Sequence, residues 1–281
     1  MNAPLKHQPK TYPEVIAGGL RTACVSRAEL VRLMVRECRE ARAIGRAAPK
    51  LVFHANGQAI SLAARDAEFR RFHEIADHVH ADGQPLVFAT RFLALPRIPE
   101  RSPVTDFFHD AASAARIAGL RFYLLGSTKG DNAACAEIRR ERYPGLIIAG
   151  RKHGYFKMEE EVSVCDEINA ADADVVWVGL GIPMQQAFCI RNRHRIRAGW
   201  LVAAGGCFNY VSGRYKRAPR WMQRAGFEWL HRLWREPKRL FLRYAVTNPH
   251  ALYLLLTRTS SIKPARPFWR GRGRPEAARA G

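Results

Sequence analysis

The sequence predicts an α/β protein, a mainly parallel sheet with helices on both faces, followed by a basic helical appendage. Three observations predict it. Short apolar runs at 51–53, 120–125, 146–149, 175–178 and 200–203 lack polar alternation, as strands buried on both faces do. Helix-like stretches separate these runs, which is the rhythm of crossover units. Two runs end in a glycine turn that opens a helix, at Gly126-Ser127 and at Gly179 to Gly181, so the core is Rossmann-like.

Residues 1–12 read as a disordered polar tail. A short strand near Val15 and Ile16 precedes a turn. Ser26 and Glu29 then form a capping box for a helix carrying Leu30, Leu33, Met34 and Val35 at helical spacing. After the strand at 51–53 come an Asn56-Gly57 turn, a helix over 58–67, a second helix-like stretch over 68–76 and a strand at 78–80. Asp82-Gly83 follows. Further on, helices are expected at 133–142, at 159–170 and from about Gln185, and the strand at 200–203 closes on Gly205-Gly206. The core therefore spans 13–213. Residues 214–262 form an appendage of amphipathic, basic, aromatic helices broken by prolines, and 263–281 an Arg/Gly/Pro-rich disordered tail.

Charge is the outlier. The 281 residues carry a net charge of +21, and 17 Lys/Arg against three acidic residues from Arg214 onward put +14 of it in the last quarter. Such a segment attracts polyanions, whether phosphate-bearing substrates, anionic lipid or nucleic acid. Trp221, Trp229, Trp234 and Tyr244 fit a membrane interface and equally a stacking surface for single-stranded nucleic acid. The six cysteines have neither zinc nor CxxC spacing, which fits reduced, buried thiols in a cytoplasm. The N-terminus has no apolar signal region, and no run approaches the ~20 apolar residues of a spanning helix. Membrane contact is therefore expected to be peripheral.

In open parallel sheets, ligands sit beyond the carboxyl ends of the strands. Gly126-Ser127 and Gly179 to Gly181 fall there, as phosphate-approach turns or simply as packing turns. Asp82 also falls there, as a base, a holder of sugar hydroxyls or a plain turn residue. Asp172 and Asp174 form a DxD, but they precede the strand at 175–178 and so belong to the opposite edge. They read as a helix-closing loop, and no metal site is expected.

Taken in order, these residues resemble the WecG/TagA/CpsF glycosyltransferases. The marks are His54 with Asn56, Asp82-Gly83, Arg101 with Thr105 and Asp106, and Gly150 with Gly154, Tyr155 and Phe156. They continue through Gly179 to Gln185, Gly205-Gly206 with Phe208 and Gly213, and Arg217 to Pro219. The most specific stretch holds Glu228, Trp229, Arg232, Glu236, Pro237, Arg239, Arg243 and Tyr244. The resemblance implies an inverting transfer, without metal or other cofactor, from a UDP-sugar to an undecaprenyl-diphosphate-linked sugar at the inner face of the cytoplasmic membrane. It implies Asp82 as general base, with Asn56, Arg101 and Gln185 positioning the sugar and nucleotide. The turn glycines Gly179 and Gly181, with His54, Gln186, Arg217 and Glu228, complete the expected binding set. Arg232, Arg239 and Arg243 are expected to neutralise diphosphate.

Two departures bear on the donor. His54 stands where the family often has a hydroxyl residue, and Gln186 stands where it usually has Glu. Members use N-acetylmannosamine, its uronic acid or glucose, so the sugar stays open. Two other readings stand beside this one: a nucleic-acid-binding α/β protein, and a catalytically altered subunit of polysaccharide assembly. The first reading expects no nucleic-acid partner and allows a homo-oligomer.

Overall fold

The computed structural model describes residues 10–46 and 48–262, so residues 1–9 of the tail expected over 1–12, and the tail expected over 263–281, lie outside the described residues. Six parallel strands form the main sheet: β3 (Lys50–Ala55), β4 (His78–Ala81), β5 (Arg121–Gly126), β6 (Ile147–Lys152), β7 (Val175–Gly179) and β8 (Trp200–Ala203). Their order across the sheet is β4-β3-β8-β7-β5-β6. Successive residues point to opposite faces and both faces of the inner strands are covered, so β3, β5, β7 and β8 read as largely apolar runs, while the edge strand β6 has no buried residue. Val52, Phe122, Leu124, Trp177 and Val202 pack under α1 (Arg27–Ala43), α5 (Val104–Ala118), α6 (Lys129–Arg142) and α9 (Cys207–Val211). Phe53, Tyr123, Leu125, Val176, Val178 and Leu201 pack on the other side. That side is covered by α2 (Gly57–Ala63), α3 (Ala67–Ile75), α4 (Gln84–Leu93), α7 (Glu161–Ala170) and α8 (Met184–Asn192).

The local signals act as chemistry requires. Ser26 and Glu29 make the reciprocal capping box of α1. The helix expected over 58–67 instead ends at Ala63, because Asp66 accepts from the Phe69 amide and caps a new helix, α3. The long interval between Asp82 and Leu120, where the sequence carries no clear element signal, holds α4 and α5. The polar segment at the start is partly packed: Tyr12 bonds His78, and Lys10 pairs with Glu14.

The last quarter adds α10 (Arg220–Ala225), α11 (Glu228–Arg235) and α12 (Pro237–Thr257). Ala251, Leu254 and Leu255 of α12 enter the same core cluster as α2 and α4. The chain then forms β9 (Ser260–Ser261), antiparallel to β1 (Glu14–Ala17), which also pairs with β2 (Leu20–Ala23). This small three-stranded sheet fastens the end of the basic segment to the start of the chain. The sequence reading found only part of β1, since strands of two to four residues carry little periodicity.

Candidate active site

The carboxyl ends of five strands open into one cleft of about 1100 Å³, roofed by residues of α11 and α12. Asn56 follows β3, Asp82 follows β4, Ser127 follows β5, Gly179 to Gly181 follow β7, and Ala204 to Gly206 follow β8; all line it. Gly126 is required by close approach. It sits at φ 135°, and a Cβ there would lie 2.3 Å from the Gly179 carbonyl oxygen. The Ser127 amide donates to that same oxygen at 3.1 Å, so the two glycine turns are tied together.

On the other wall, Asn56 caps α2 through Oδ1, which accepts from the Ala59 amide at 3.0 Å. Its Nδ2 then donates to Asp82 Oδ2 at 3.4 Å. The Asp82 amide donates to the Ala55 carbonyl at 2.9 Å, extending the β3–β4 pairing by one residue. The carboxylate is thereby held at the lip of the sheet with its backbone fixed and a side-chain donor beside it. His54 is 3% exposed, and its Nδ1 lies 3.1 Å from the Ala203 carbonyl oxygen.

The cations come in two kinds. Arg101 donates to Glu228 and to Gln223, both at 2.9 Å. Arg217 donates to Asp106 at 2.7 Å and to Gln223 at 2.9 Å, and its Nε pairs with Glu228 at 3.1 Å. Burial opposes the charge on Arg217, but Asp106 and Glu228 outweigh it and hold the pKa above its ordinary value. Glu228 is thus the buttress of two arginines. Arg239 is engaged by Glu236 and reaches the Tyr215 hydroxyl at 3.5 Å. Arg232 and Arg243, by contrast, have no carboxylate partner among the described residues. Arg232 lies over the Tyr210 ring at 5.5 Å and Arg243 over the Tyr244 ring at 4.8 Å. Desolvation disfavours the Arg232 charge, but Tyr210, Tyr244 and Asp82 raise its pKa on balance.

The structure brings together His54, Asn56, Asp82, Arg101, Gly179, Gly181, Arg217, Glu228, Arg232, Arg239 and Arg243 around the one cleft. Pro237 starts α12, so Arg232 stands on a different helix from Arg239 and Arg243, and the three converge across the break. Gln185 and Gln186 do not line the cleft; both are fully buried in α8. Gln185 acts one step back, where its Oε1 accepts from the Gly205 amide at 2.8 Å and holds that turn. Asp172 and Asp174 lie at the amino end of β7, where Arg46 pairs with both and Arg42 and the Arg121 amide also engage Asp174. Sequence reasoning missed Gln223, which bridges Arg101 and Arg217, and Tyr210, which carries Arg232. Neither carries a local signal, since each acquires its role only when α9 and α10 meet the cleft.

The sequence model of the glycosyl transferase WecG/TagA/CpsF family matches residues 15–264. The chain belongs to that family. Among similar proteins is an N-acetylglucosaminyldiphosphoundecaprenol N-acetyl-beta-D-mannosaminyltransferase of Bacillus spizizenii. It is 34% identical over 58% of this chain and 63% of the relative. A protein of the same name from Bacillus subtilis is 30% identical over 66% of this chain and 73% of its own length. Another from Staphylococcus aureus is 26% identical over 66% and 72%. No helix among the described residues is long and apolar enough to cross a membrane.

Proposed function

We propose that this family member transfers a hexose or N-acetylhexosamine-type sugar from a UDP-sugar to an undecaprenyl-diphosphate-linked saccharide, with inversion and without a metal ion. In this reaction the acceptor hydroxyl attacks the anomeric carbon from the face opposite the nucleotide. Asp82 takes the hydroxyl proton, and the bond to the nucleotide breaks with its electron pair leaving on UDP. Asn56 fixes the Asp82 carboxylate. Arg101 and Arg217, held by Glu228, shape the cleft wall, while Arg232, Arg239 and Arg243 neutralise the departing diphosphate. The observation that carries this reading is the pair of cleft arginines, Arg232 and Arg243, that lie on aromatic rings without a carboxylate partner, on the same cleft as Asp82. The names of the relatives support the lipid-linked acceptor.

The acceptor's lipid supports a cytoplasmic protein bound peripherally to the inner face of the membrane. Phe241, Leu242, Leu252, Tyr253 and Leu256 of α12 are exposed, and Trp234 of α11 is 86% exposed. No Asp, Glu, Lys or Arg stands between Arg243 and Arg258, while cations border that stretch on both sides. An apolar helix face with a basic rim suits an anionic bilayer surface.

A UDP-release assay tests the reaction, using a panel of UDP-sugars, a short-chain polyprenyl-diphosphate-linked N-acetylglucosamine acceptor in vesicles, and EDTA. Acceptor-dependent release that survives EDTA is the expected result, and it names the donor. Silence with every donor overturns the reading, and release abolished by EDTA overturns its metal-free form.

A further inference from the structure

One nitrogen in the cleft is oriented by the backbone in a way that fixes what it can bind. The carbonyl of Ala203 only accepts hydrogen bonds, so the His54 Nδ1 that meets it at 3.1 Å carries the ring proton. In the uncharged ring, Nε2 then holds a bare lone pair. That nitrogen has no hydrogen-bond partner among the described residues and is not among the unpaired atoms sealed in the interior: His54 lines the cleft although the residue is only 3% exposed. The ring cannot turn its proton toward the cleft without leaving the Ala203 oxygen unbonded. Its setting is rigid, since His54 is the penultimate residue of β3, paired with His80 of β4 and bordered by the Gly205 turn.

Several of the charged and polar groups on the cleft are already engaged. Arg101, Arg217 and Arg239 are tied to carboxylates, and Glu228 is occupied by two of them. Asn56 Oδ1 is spent on the Ala59 amide. In its uncharged form, His54 Nε2 is an acceptor beside the Asp82 carboxylate, at the sheet end of a cleft whose helical wall carries Arg232, Arg239 and Arg243. A neutral acceptor does not attract phosphate. It accepts from a hydroxyl or an amide N–H, the groups that a saccharide presents.

Resting on the proposed sugar transfer, we propose that His54 is a specificity-determining residue whose Nε2 accepts a hydrogen bond from a hydroxyl or amide N–H of a saccharide bound in the cleft, read in the acceptor sense only. A site built to bond such a group rejects sugars that lack it, because the buried nitrogen would be left unpaired.

Two isosteric substitutions separate this role from a purely structural one. Asparagine puts an amide N–H where Nδ1 stands and can keep the Ala203 bond, but has nothing at the Nε2 position. Glutamine puts its carbonyl oxygen where Nε2 stands and gives up the Ala203 bond. The expected result is that H54N raises KM for one saccharide substrate about tenfold or more, while H54Q stays within about threefold of wild type. Whether the donor or the acceptor KM moves tells which saccharide is read. A structural role gives the opposite order, with H54N near wild type and H54Q impaired, and that order overturns the proposal. In the folded wild-type protein, ¹⁵N-histidine NMR is expected to show His54 protonated on Nδ1, with the Nε2 resonance shifting on saturation by the substrates. A proton on Nε2, or no shift at saturation, also overturns it. Failure of the proposed reaction is distinguishable, since wild-type protein would then release no UDP at all.

Discussion

β3, β4, β5, β7 and β8 bury nearly every side chain, whereas among the described residues from Arg214 onward only Ala218, Leu240, Tyr244, Ala251, Leu254 and Leu255 are buried. α11 has no buried residue. Both regions supply the cleft, but they supply different things. The sheet contributes Asp82, Asn56 and His54, groups whose backbones are locked in the β3–β4 register. The later helices contribute cations carried on aromatic rings and on a few buried leucines. A base needs fixed geometry. Cations that meet a diphosphate work over a longer range, so a less deeply packed element suffices to hold them.

The sharpest way to break this comparison is at the sheet's own carboxylate. Asp82→Asn is expected to slow transfer by about 10²- to 10⁴-fold, the usual worth of a positioned base, with the melting temperature unchanged. Unchanged turnover in a steady-state assay would remove Asp82 from the role. Next, Arg232→Ala and Arg243→Ala are each expected to cost about 10²-fold in kcat with little change in Tm, since neither breaks an ion pair. Arg217→Ala should instead lower Tm as well, because it leaves Asp106 only the longer 3.8 Å contact with Arg27 and Glu228 only Arg101. Equal melting losses for all three would erase the distinction between free and buttressing cations.

The attachment of the later helices can be probed directly. Leu254 is 1% exposed in the cluster shared with α2, and Leu254→Ala should cost about 2–5 kcal/mol. Hydrogen exchange should locate that loss in α12, leaving β3 and β8 protected. Loss of protection throughout would mean that the two regions unfold as one.

Acid acts on the core. Burial pushes His80 down to about 3 and His73 down to about 4. Both stay neutral when folded, whereas the unfolded chain takes up their protons below its ordinary histidine value. Their contribution is thus intact above pH 6.5 and is lost as pH falls toward 4, at about 1.4 kcal/mol per pH unit per histidine. Urea titrations at pH 7, 6 and 5 should show this slope, which His73→Gln should reduce. The smallest effect is expected at Trp234. Its replacement by Ala should change stability by no more than about 0.5 kcal/mol while lowering retention on anionic vesicles.

How much of this was legible without coordinates depends on the kind of signal. β3, β5, β7 and β8 were readable because burial on both faces removes polar alternation, and Ser26 with Glu29 because a capping box is local. The Arg and Glu pattern of 228–243 was readable as a resemblance. α4 and α5 were missed, as was the β1–β2–β9 sheet, because its pairs join residues 15 and 16 to 260 and 261. Gln185 and Gln186 were expected on the substrate. Position along the chain cannot tell the exposed face of a helix start from the buried one, and α8 turns both inward.

The sequence by itself determined that the core is a parallel α/β sheet, that Asp82 and the glycine turns share its carboxyl edge, and that positive charge gathers after Gly213. These follow from periodicity, turn chemistry and composition, which act over a few residues. Only the tertiary structure decided which arginines are spent on Glu228 and Asp106 and which lie free on Tyr210 and Tyr244. It alone decided that His54 turns its proton to Ala203 and its lone pair to the cleft. Such assignments depend on distances between residues far apart in the chain, and packing sets those distances.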